Sequence, residues 1–478
     1  MANLPFVEEQ ACIAPSPLPV SIIQNLQAII ERLTANNRLD SCKSIYVEVR
    51  SLNARASLQV LDLDYLEMSN SEFDYVQSIE NYIDQWGKHL EFAVKHLFEV
   101  EYNLCNEVFE TIELDFRMCC FAKIAAQSGI LAFLRFGNNV TKSKKDPIKL
   151  LKLLDIFAVL HKLRLDFNRL FGGKACVEIQ TLTRDLVKRI VDGACEIFLE
   201  LFAQVELQRQ TSPPSDGSVP RLVSFVTDYC NQLLGGNYRL TLTQVLVIHQ
   251  SWKDEIYEEE LLTNEVRNII NAIELNLEAW SKAYEDTTLS YIFMMNNHWH
   301  LYKNLKGTKL EELMGNSWLR RHEQCLEYYV AVYLRECWGR LPALLSQEGL
   351  VLFPGGRASA RDLVKKRLKA FNEAFDNVYK KQSNWVVPDK SLREKLCQLL
   401  VHTIVPVYMS HLQNYGPLVE QDGSAAKYVK HTAQSMENML NSLFQPRLGK
   451  FGSMKNTQLI GKIKNVVANQ FRSTLTAV

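Results

Sequence analysis

From Val76 to Leu104 the apolar residues of this chain return at every third or fourth position: Val76, Ile79, Ile83, Trp86, Leu90, Ala93, Leu97, Val100 and Leu104. A helix gathers that spacing into one continuous stripe; a strand, which buries alternate residues, scatters it over both faces. Ser69, with Glu72 three residues on, supplies the capping box that opens such a helix. The stripe serves either as a seam within a bundle of the same chain or as the contact for a separate coiled-coil partner.

The same period recurs along the chain. Asp146-Pro147 places an N-cap before a proline at the first helical position, where the missing N–H costs nothing. Leu150, Leu153, Phe157, Leu160, Leu163, Phe167 and Leu170 continue that helix until Gly172-Gly173, and a further helix is predicted from Cys176 to Gln208. Strand-like alternation is nearly absent, with Leu350 to Phe353 the one short candidate. Only 20 Gly and 14 Pro occur in 478 residues, too few for the turns of a β-sandwich or barrel, so the expected class is all-α.

A chain of this length exceeds one core, and its breakers suggest the divisions. They are Thr211 to Pro220, Pro354-Gly355-Gly356 and Trp385 to Pro388. The expected organisation is an irregular leader over 1–18 and N-terminal bundles over 19–210. A middle bundle over 219–353, a C-terminal bundle with a basic face over 357–445 and a basic tail over 446–478 complete it.

Lys plus Arg equal Asp plus Glu at 54 each, which excludes a uniformly basic nucleic-acid binder. The charge is uneven, however. Residues 61–115 carry fourteen acids and two lysines, whereas 424–478 carry eight basic residues and one Glu. Arg357 to Lys369 adds six basic residues against Asp362. Taken singly these are solvated helix faces; together they give a basic end fit for an anionic surface. The eleven cysteines are odd in number and lack C-x-x-C spacing, as expected of free thiols in a reducing compartment. Met1 to Pro19 has no basic region of a signal peptide, and no apolar run approaches 18 residues, so a cytosolic chain is expected.

No catalytic pattern emerges. Gly173-Lys174 is followed by Ala175 and Gly461-Lys462 by Ile463, so neither is a phosphate loop. G-x-S-x-G is missing. His322-Glu323 begins like a zinc helix, but position 326 is Leu. His298 and His300 lie about 200° apart on a helix and do not share an ion there. Asp62-Leu63-Asp64 lacks the third carboxylate of a magnesium-binding lyase or transferase. The expectation is a non-enzyme without metal or cofactor.

An ordered series of segments resembles a known family. Ser218-Val219-Pro220 with Leu222, Val226 and Tyr229 is similar to its V-P-x-L-x-x-x-V-x-x-Y segment, and Phe293 with Asn296-Asn297 to its F-x-x-N-N helix. Asn316 to Trp318, with Tyr328, Tyr333 and Trp338, follows. The most specific stretch is Lys366-Arg367-Leu368-Lys369, Phe371-Asn372 and Phe375. Trp385-Val386-Val387-Pro388-Asp389, Leu392-Arg393, Pro406 and Tyr408 come after it. Over residues 15–445 the chain resembles the seventy-kilodalton exocyst subunit family, of plant type.

The resemblance implies an elongated rod of consecutive antiparallel helical bundles, α-solenoid-like, within a vesicle-tethering complex. It implies tethering of secretory vesicles at the plasma membrane before fusion, by a cytoplasmic protein peripheral to that membrane. The implied partners are other exocyst subunits, Rho-type small GTPases and membrane phosphatidylinositol 4,5-bisphosphate. The family's K-Y-x-K lipid contact is matched by Lys427-Tyr428-Val429-Lys430, whose spacing predicts one helical face with His431 beside it. The resemblance begins inside the family's usual length, so the N-terminal coiled-coil arm is expected to be missing. That leaves a second function open: a helical protein-binding scaffold regulating related subunits or immune components. Beyond the family's usual end, Arg447, Lys450, Lys455, Lys462, Lys464 and Arg472 accompany Leu459, Ile460, Ile463, Val466, Val467 and Phe471 at helical spacing. Such a segment is either an amphipathic helix in a membrane interface, adding its cations to the lipid contact, or an irregular tail.

Overall fold

The computed structural model describes residues 18–68, 79–143, 146–255, 260–348, 350, 357–420 and 425–446. Among the described residues the regular structure is helical throughout and no strand occurs, so the chain is all-α. It divides into two compact units. The first holds Met1–Leu201 and Gly236–Glu259, the second Phe202–Gly235 and Glu260–Val478.

The first unit begins with α1 (Val20–Ala35) and α2 (Leu39–Gln59), followed by α3 (Ile79–Phe92) and α4 (Glu99–Val108). The apolar stripe predicts one uninterrupted helix here. Its opening at Ser69, Glu72 and Val76 lies outside the described residues. Ile83, Trp86, Leu90, Ala93, Leu97 and Leu104 are buried as the stripe requires, while Val100 is half-buried. A π-turn over Ala93–Phe98 separates α3 from α4. The wider turn rotates the residues that follow, and Glu101, Cys105 and Val108 are buried beyond the stripe, as are Phe92, Val94 and Phe98 at the turn itself.

Next come α5 (Leu114–Ser128), α6 (Ile130–Lys142), α7 (Pro147–Lys162), α8 (Arg164–Phe171) and α9 (Val177–Leu207). Asp146 caps α7 as expected, its Oδ1 accepting from the Lys149 amide at 2.9 Å. The single helix expected up to Gly172 is instead broken at Leu163, where φ is −88° and ψ 0°. Leu163, Phe167 and Leu170 keep the apolar spacing across the break and are all buried, so the sequence pattern carries no mark of it. Trp86 donates its indole N–H to the Phe133 carbonyl at 3.0 Å, and Phe121 stacks on Phe171 at 5.6 Å. Gly87 is a packing requirement: a Cβ there would lie 2.8 Å from Val159 Cγ2, so α3 approaches α7 only without one.

Among the described residues no single helix is long and apolar enough to cross a bilayer. The bent pair α5 and α6 has the length and composition, but its Phe121, Ile124, Phe133 and Phe136 are buried in the core of the unit.

The second unit contains α10 (Arg221–Leu233), α12 (Leu261–Lys282), α13 (Thr287–Leu305), α14 (Lys309–Met314) and α15 (Asn316–Tyr333). Between α10 and α12 the chain forms α11 (Gly236–Trp252) in the first unit. A π-turn over Leu334–Trp338 leads to α16 (Arg340–Leu344), α17 (Arg357–Gln382), α18 (Lys390–Glu420), α19 (Ala425–Tyr428) and α20 (Ala433–Asn441). Leu350 is buried coil, while Val351 to Gly356 lie outside the described residues. Trp338 donates to Tyr333 Oη at 2.9 Å, which in turn donates to Gln382 Oε1 at 2.5 Å. Phe375 packs edge-on against Trp338 at 6.1 Å and Phe444 against Tyr333 at 6.3 Å, enclosing this buried polar relay.

The segments singled out by family resemblance meet in this unit. Asn296 on α13 donates both amide hydrogens, to the Gly217 carbonyl at 2.7 Å and the Val386 carbonyl at 2.8 Å. The Val386 amide donates to the Asp216 carbonyl at 2.9 Å, and the Val387 amide to the Phe444 carbonyl at 3.1 Å. Gly217 sits at φ +75°, and a Cβ there would come within 2.8 Å of Leu289 Cδ1. The loop before α10, the middle of α13 and the break before α18 are thus held by one side chain.

Candidate functional site

The basic end of the second unit is built on α17. Its buried residues Ala360, Val364, Leu368, Phe371 and Phe375 recur at spacings of 3 and 4 and fix one face to the core. Lys366 and Lys369 remain exposed on the same helix, and Lys365 is half-buried. Arg367 is structural, donating to the carbonyls of Ser346 and Glu348 beyond α16. Asn372 and Asp376, one turn apart, then reach the segment 427–431 from the side.

Lys427 and Tyr428 end the short α19. Lys427 is exposed, and among the described residues it has no acidic partner. The Tyr428 carbonyl accepts from Asn372 Nδ2 at 2.7 Å, and Lys365 Nζ lies 5.5 Å from the centre of the Tyr428 ring. Lys430 and His431 sit beyond the helix end, in the link to α20. This corrects the expectation of one helical face for Lys427, Lys430 and His431. The physical reason lies on the neighbouring helices: Asn372 takes the Tyr428 carbonyl, and both oxygens of Asp376 are engaged further along. Oδ2 pairs with Lys430 Nζ and Oδ1 with His431 Nε2, the latter at 2.9 Å. Thr432 then starts α20 by accepting from the Ser435 amide at 3.0 Å.

His431 is buried against the Phe375 ring, and its carbonyl accepts from Tyr408 Oη at 2.7 Å. Partial burial pushes the Asp376 carboxyl up, but the bonds from Lys430 and His431 outweigh it and hold the group below the usual carboxylate range. Arg447, Lys450, Lys455, Lys462 and Lys464 lie outside the described residues.

A second polar cluster joins three helices of the same unit. Glu274 on α12 accepts from Trp318 Nε1 at 2.6 Å and from Arg321 Nη2 at 2.6 Å, and its Oε1 lies 3.0 Å from His322 Nε2. His322 Nδ1 faces His298 Nδ1 at 2.8 Å. One of the two facing Nδ1 atoms carries the proton between them. Burial, aided by His322, pushes His298 down to about 4, which keeps it neutral. Glu274, His298, Arg321 and His322 line a cleft of about 330 Å³ with Cys325 and Tyr329. Among the described residues no three His, Cys, Asp or Glu side chains are grouped to hold a metal ion.

The family model for the C-terminal part of the Exo70 exocyst complex subunit matches residues 84–442. The chain belongs to the Exo70 family. Its sequence is 30% identical to exocyst complex component EXO70A1 of Arabidopsis thaliana over 445 residues, covering 92% of this chain and 69% of that protein. It is 31% identical to exocyst complex component EXO70I of Medicago truncatula, covering 88% of this chain and 61% of that protein. The crystal structure of the Saccharomyces cerevisiae exocyst component Exo70p aligns with a TM-score of 0.48 at 13% identity, over 92% of this chain and 84% of that one.

Within this Exo70 chain the K-Y-x-K signature marks the basic segment, but not the residues that shape it. Asn372 lies 56 residues from its partner in sequence and Asp376 54 from Lys430, separations no local spacing rule reaches. The same holds for His298 and His322, 24 residues apart on helices that each lack a second ligand of their own.

Proposed function

We propose that this Exo70 chain is a non-enzymatic exocyst subunit that tethers secretory vesicles to the plasma membrane before fusion. Its C-terminal basic end docks on phosphatidylinositol 4,5-bisphosphate, and the protein is cytoplasmic and peripheral at that membrane. The observation that carries the reading is Lys427, an exposed cation with no acidic partner among the described residues, beside Tyr428 with its Lys365 neighbour and the anchored Lys430. Each lysine close to an anionic leaflet contributes on the order of 1 kcal/mol, so the pair alone binds weakly and Lys365, Lys366 and Lys369 must add to the field. The tail cations Arg447, Lys450, Lys455, Lys462 and Lys464 extend the same site. Other exocyst subunits and Rho-type small GTPases complete the proposed partners.

The test is co-sedimentation with phosphatidylcholine vesicles that contain or lack the phosphoinositide, at low and high salt. The double variant Lys427→Glu/Lys430→Glu is expected to keep its circular dichroism spectrum and to lose roughly 30-fold or more in vesicle affinity, because Lys427→Glu alone removes one cation and adds one anion, at about 1 kcal/mol each. Undiminished binding by the double variant rejects these lysines as the contact.

A second reading, a protein-binding scaffold that regulates related exocyst subunits or immune components, is supported by the first unit. Ile45, Val49 and Leu52 form an exposed apolar row on α2 at 64%, 50% and 57% accessibility. That row suits a helical protein partner. Absence of phosphoinositide-dependent binding by the parent chain makes this the better account.

A further inference from the structure

Lys430 and Lys427 differ in one respect that their shared motif hides. Lys427 faces solvent, whereas Lys430, at 58% side-chain exposure, is already joined to Asp376. The same carboxylate holds His431, and the loop is fastened on either side by Asn372 on the Tyr428 carbonyl and Tyr408 on that of His431. Asp376 therefore sits at a fixed place, cannot swing away from Lys430 without giving up His431, and stays ionised because its carboxyl is held below the usual range. A phosphate or inositol phosphate approaching Lys430 meets that carboxylate as a rival anion.

We propose that Asp376 is a built-in competitor for Lys430: it positions the loop and, by occupying the lysine, sets the affinity of the basic end for phosphoinositide headgroups. The inference rests on the membrane reading given above. In the unbound chain Lys427 is the cation ready for a headgroup, while Lys430 engages one only after leaving Asp376. The competition persists throughout the neutral range, because a depressed carboxyl ionises well below it. It weakens with salt less than the membrane contact does, since the pair is intramolecular and partly shielded from solvent.

Two effects of removing Asp376 must be separated, the general gain of positive field and the specific release of Lys430. Asp362→Asn provides the comparison: it lies on the same helix, is exposed, and changes the net charge equally. The experiment measures binding of the full chain to phosphatidylcholine vesicles carrying phosphatidylinositol 4,5-bisphosphate, to vesicles carrying phosphatidylserine instead, and to soluble inositol trisphosphate. Asp376→Asn is expected to tighten phosphoinositide-vesicle binding about fivefold, and Asp362→Asn less than twofold. In a Lys430→Ala background the advantage of Asp376→Asn over Asp362→Asn disappears. A gain seen also with inositol trisphosphate assigns the contact to the headgroup, whereas a gain on vesicles alone assigns it to the bilayer surface.

The single variants Lys427→Ala and Lys430→Ala keep the test independent of any loosening caused by Asp376→Asn. The first is expected to cost about fivefold and the second less than twofold, because only the first removes a cation that is ready in the unbound chain. If the parent binds and Asp376→Asn is no tighter than Asp362→Asn, or Lys430→Ala costs as much as Lys427→Ala, the competition is wrong and the membrane reading stands. If neither the parent nor any variant binds, both are wrong.

Discussion

Replacing Asn296 with Ala opens the second unit locally, at a cost of about 2–4 kcal/mol. The amide of Asn296 is the donor for two carbonyls in separate segments, Gly217 at 2.7 Å and Val386 at 2.8 Å, and the side chain is buried. Alanine leaves both carbonyls without that donor, and each buried acceptor so stranded costs on the order of 1–3 kcal/mol. The adjacent Asn297 supplies the comparison. Its Nδ2 donates to the Phe293 carbonyl at 2.8 Å, within its own helix, so Asn297→Ala removes a local bond and releases no second segment. Since a chain of two units need not unfold in one step, hydrogen exchange is a better readout than a single melting temperature. Asn296→Ala is expected to speed exchange over residues 211–220 and 384–389 while Asn297→Ala leaves both near the parent. Equal protection in the two variants would show that the clamp does not hold the segments together.

The clamp explains why some of the fold was legible before any coordinates. The Pro-rich loop before Arg221, the Phe293 to Asn297 helix and the Trp385 to Asp389 break are recognisable one by one, because proline, asparagine and tryptophan occupy places few other residues fill. Periodicity carried α9 and the start of α7, which Asp146 marked to the residue, but not the end of α7 at Leu163. Periodicity failed where a helix changes its winding. A π-turn at Ala93–Phe98 adds one residue to a turn, and a stripe of threes and fours carries no sign of it.

The candidate site is legible in its charges and not in its geometry. Lys427 and Lys430 are candidates by motif, but their spacing implies a helical face where the structure has a helix end, because Asn372, Asp376 and Tyr408 act from other helices. Averaging charge over a segment hid a further exception. Within the acidic stretch 61–115, expected to be a solvated face, Glu101 has no exposed surface.

That buried acid carries the largest single-residue effect expected in the first unit. Glu101 on α4 is held by Arg50 on α2, with Nε to Oε2 at 3.0 Å and Nη2 to Oε1 at 2.5 Å. Burial pushes the Glu101 carboxyl up even though the guanidinium pulls it down. Arg50→Met removes the partner and leaves a carboxylate in a dry site, which is expected to destabilise the unit by about 3–5 kcal/mol at neutral pH. Part of that loss returns on acidification. A carboxyl whose folded pKa lies above its unfolded one adds stability below the unfolded pKa, and loses it as pH rises through the folded pKa. Removing Arg50 raises the folded value further and widens this window, so the melting temperature of Arg50→Met should fall more steeply than the parent's between mildly acidic and alkaline buffer. Arg50→Met/Glu101→Leu replaces both ions with apolar side chains and is expected to recover most of the parent's stability with no such slope, because a buried pair exchanged for well-packed apolar groups is often neutral. Were the single variant to melt with the parent at both ends of the pH range, the pair would not hold α2 against α4; a double variant as unstable as the single one would shift the cost from the stranded charge to lost packing by the arginine stem.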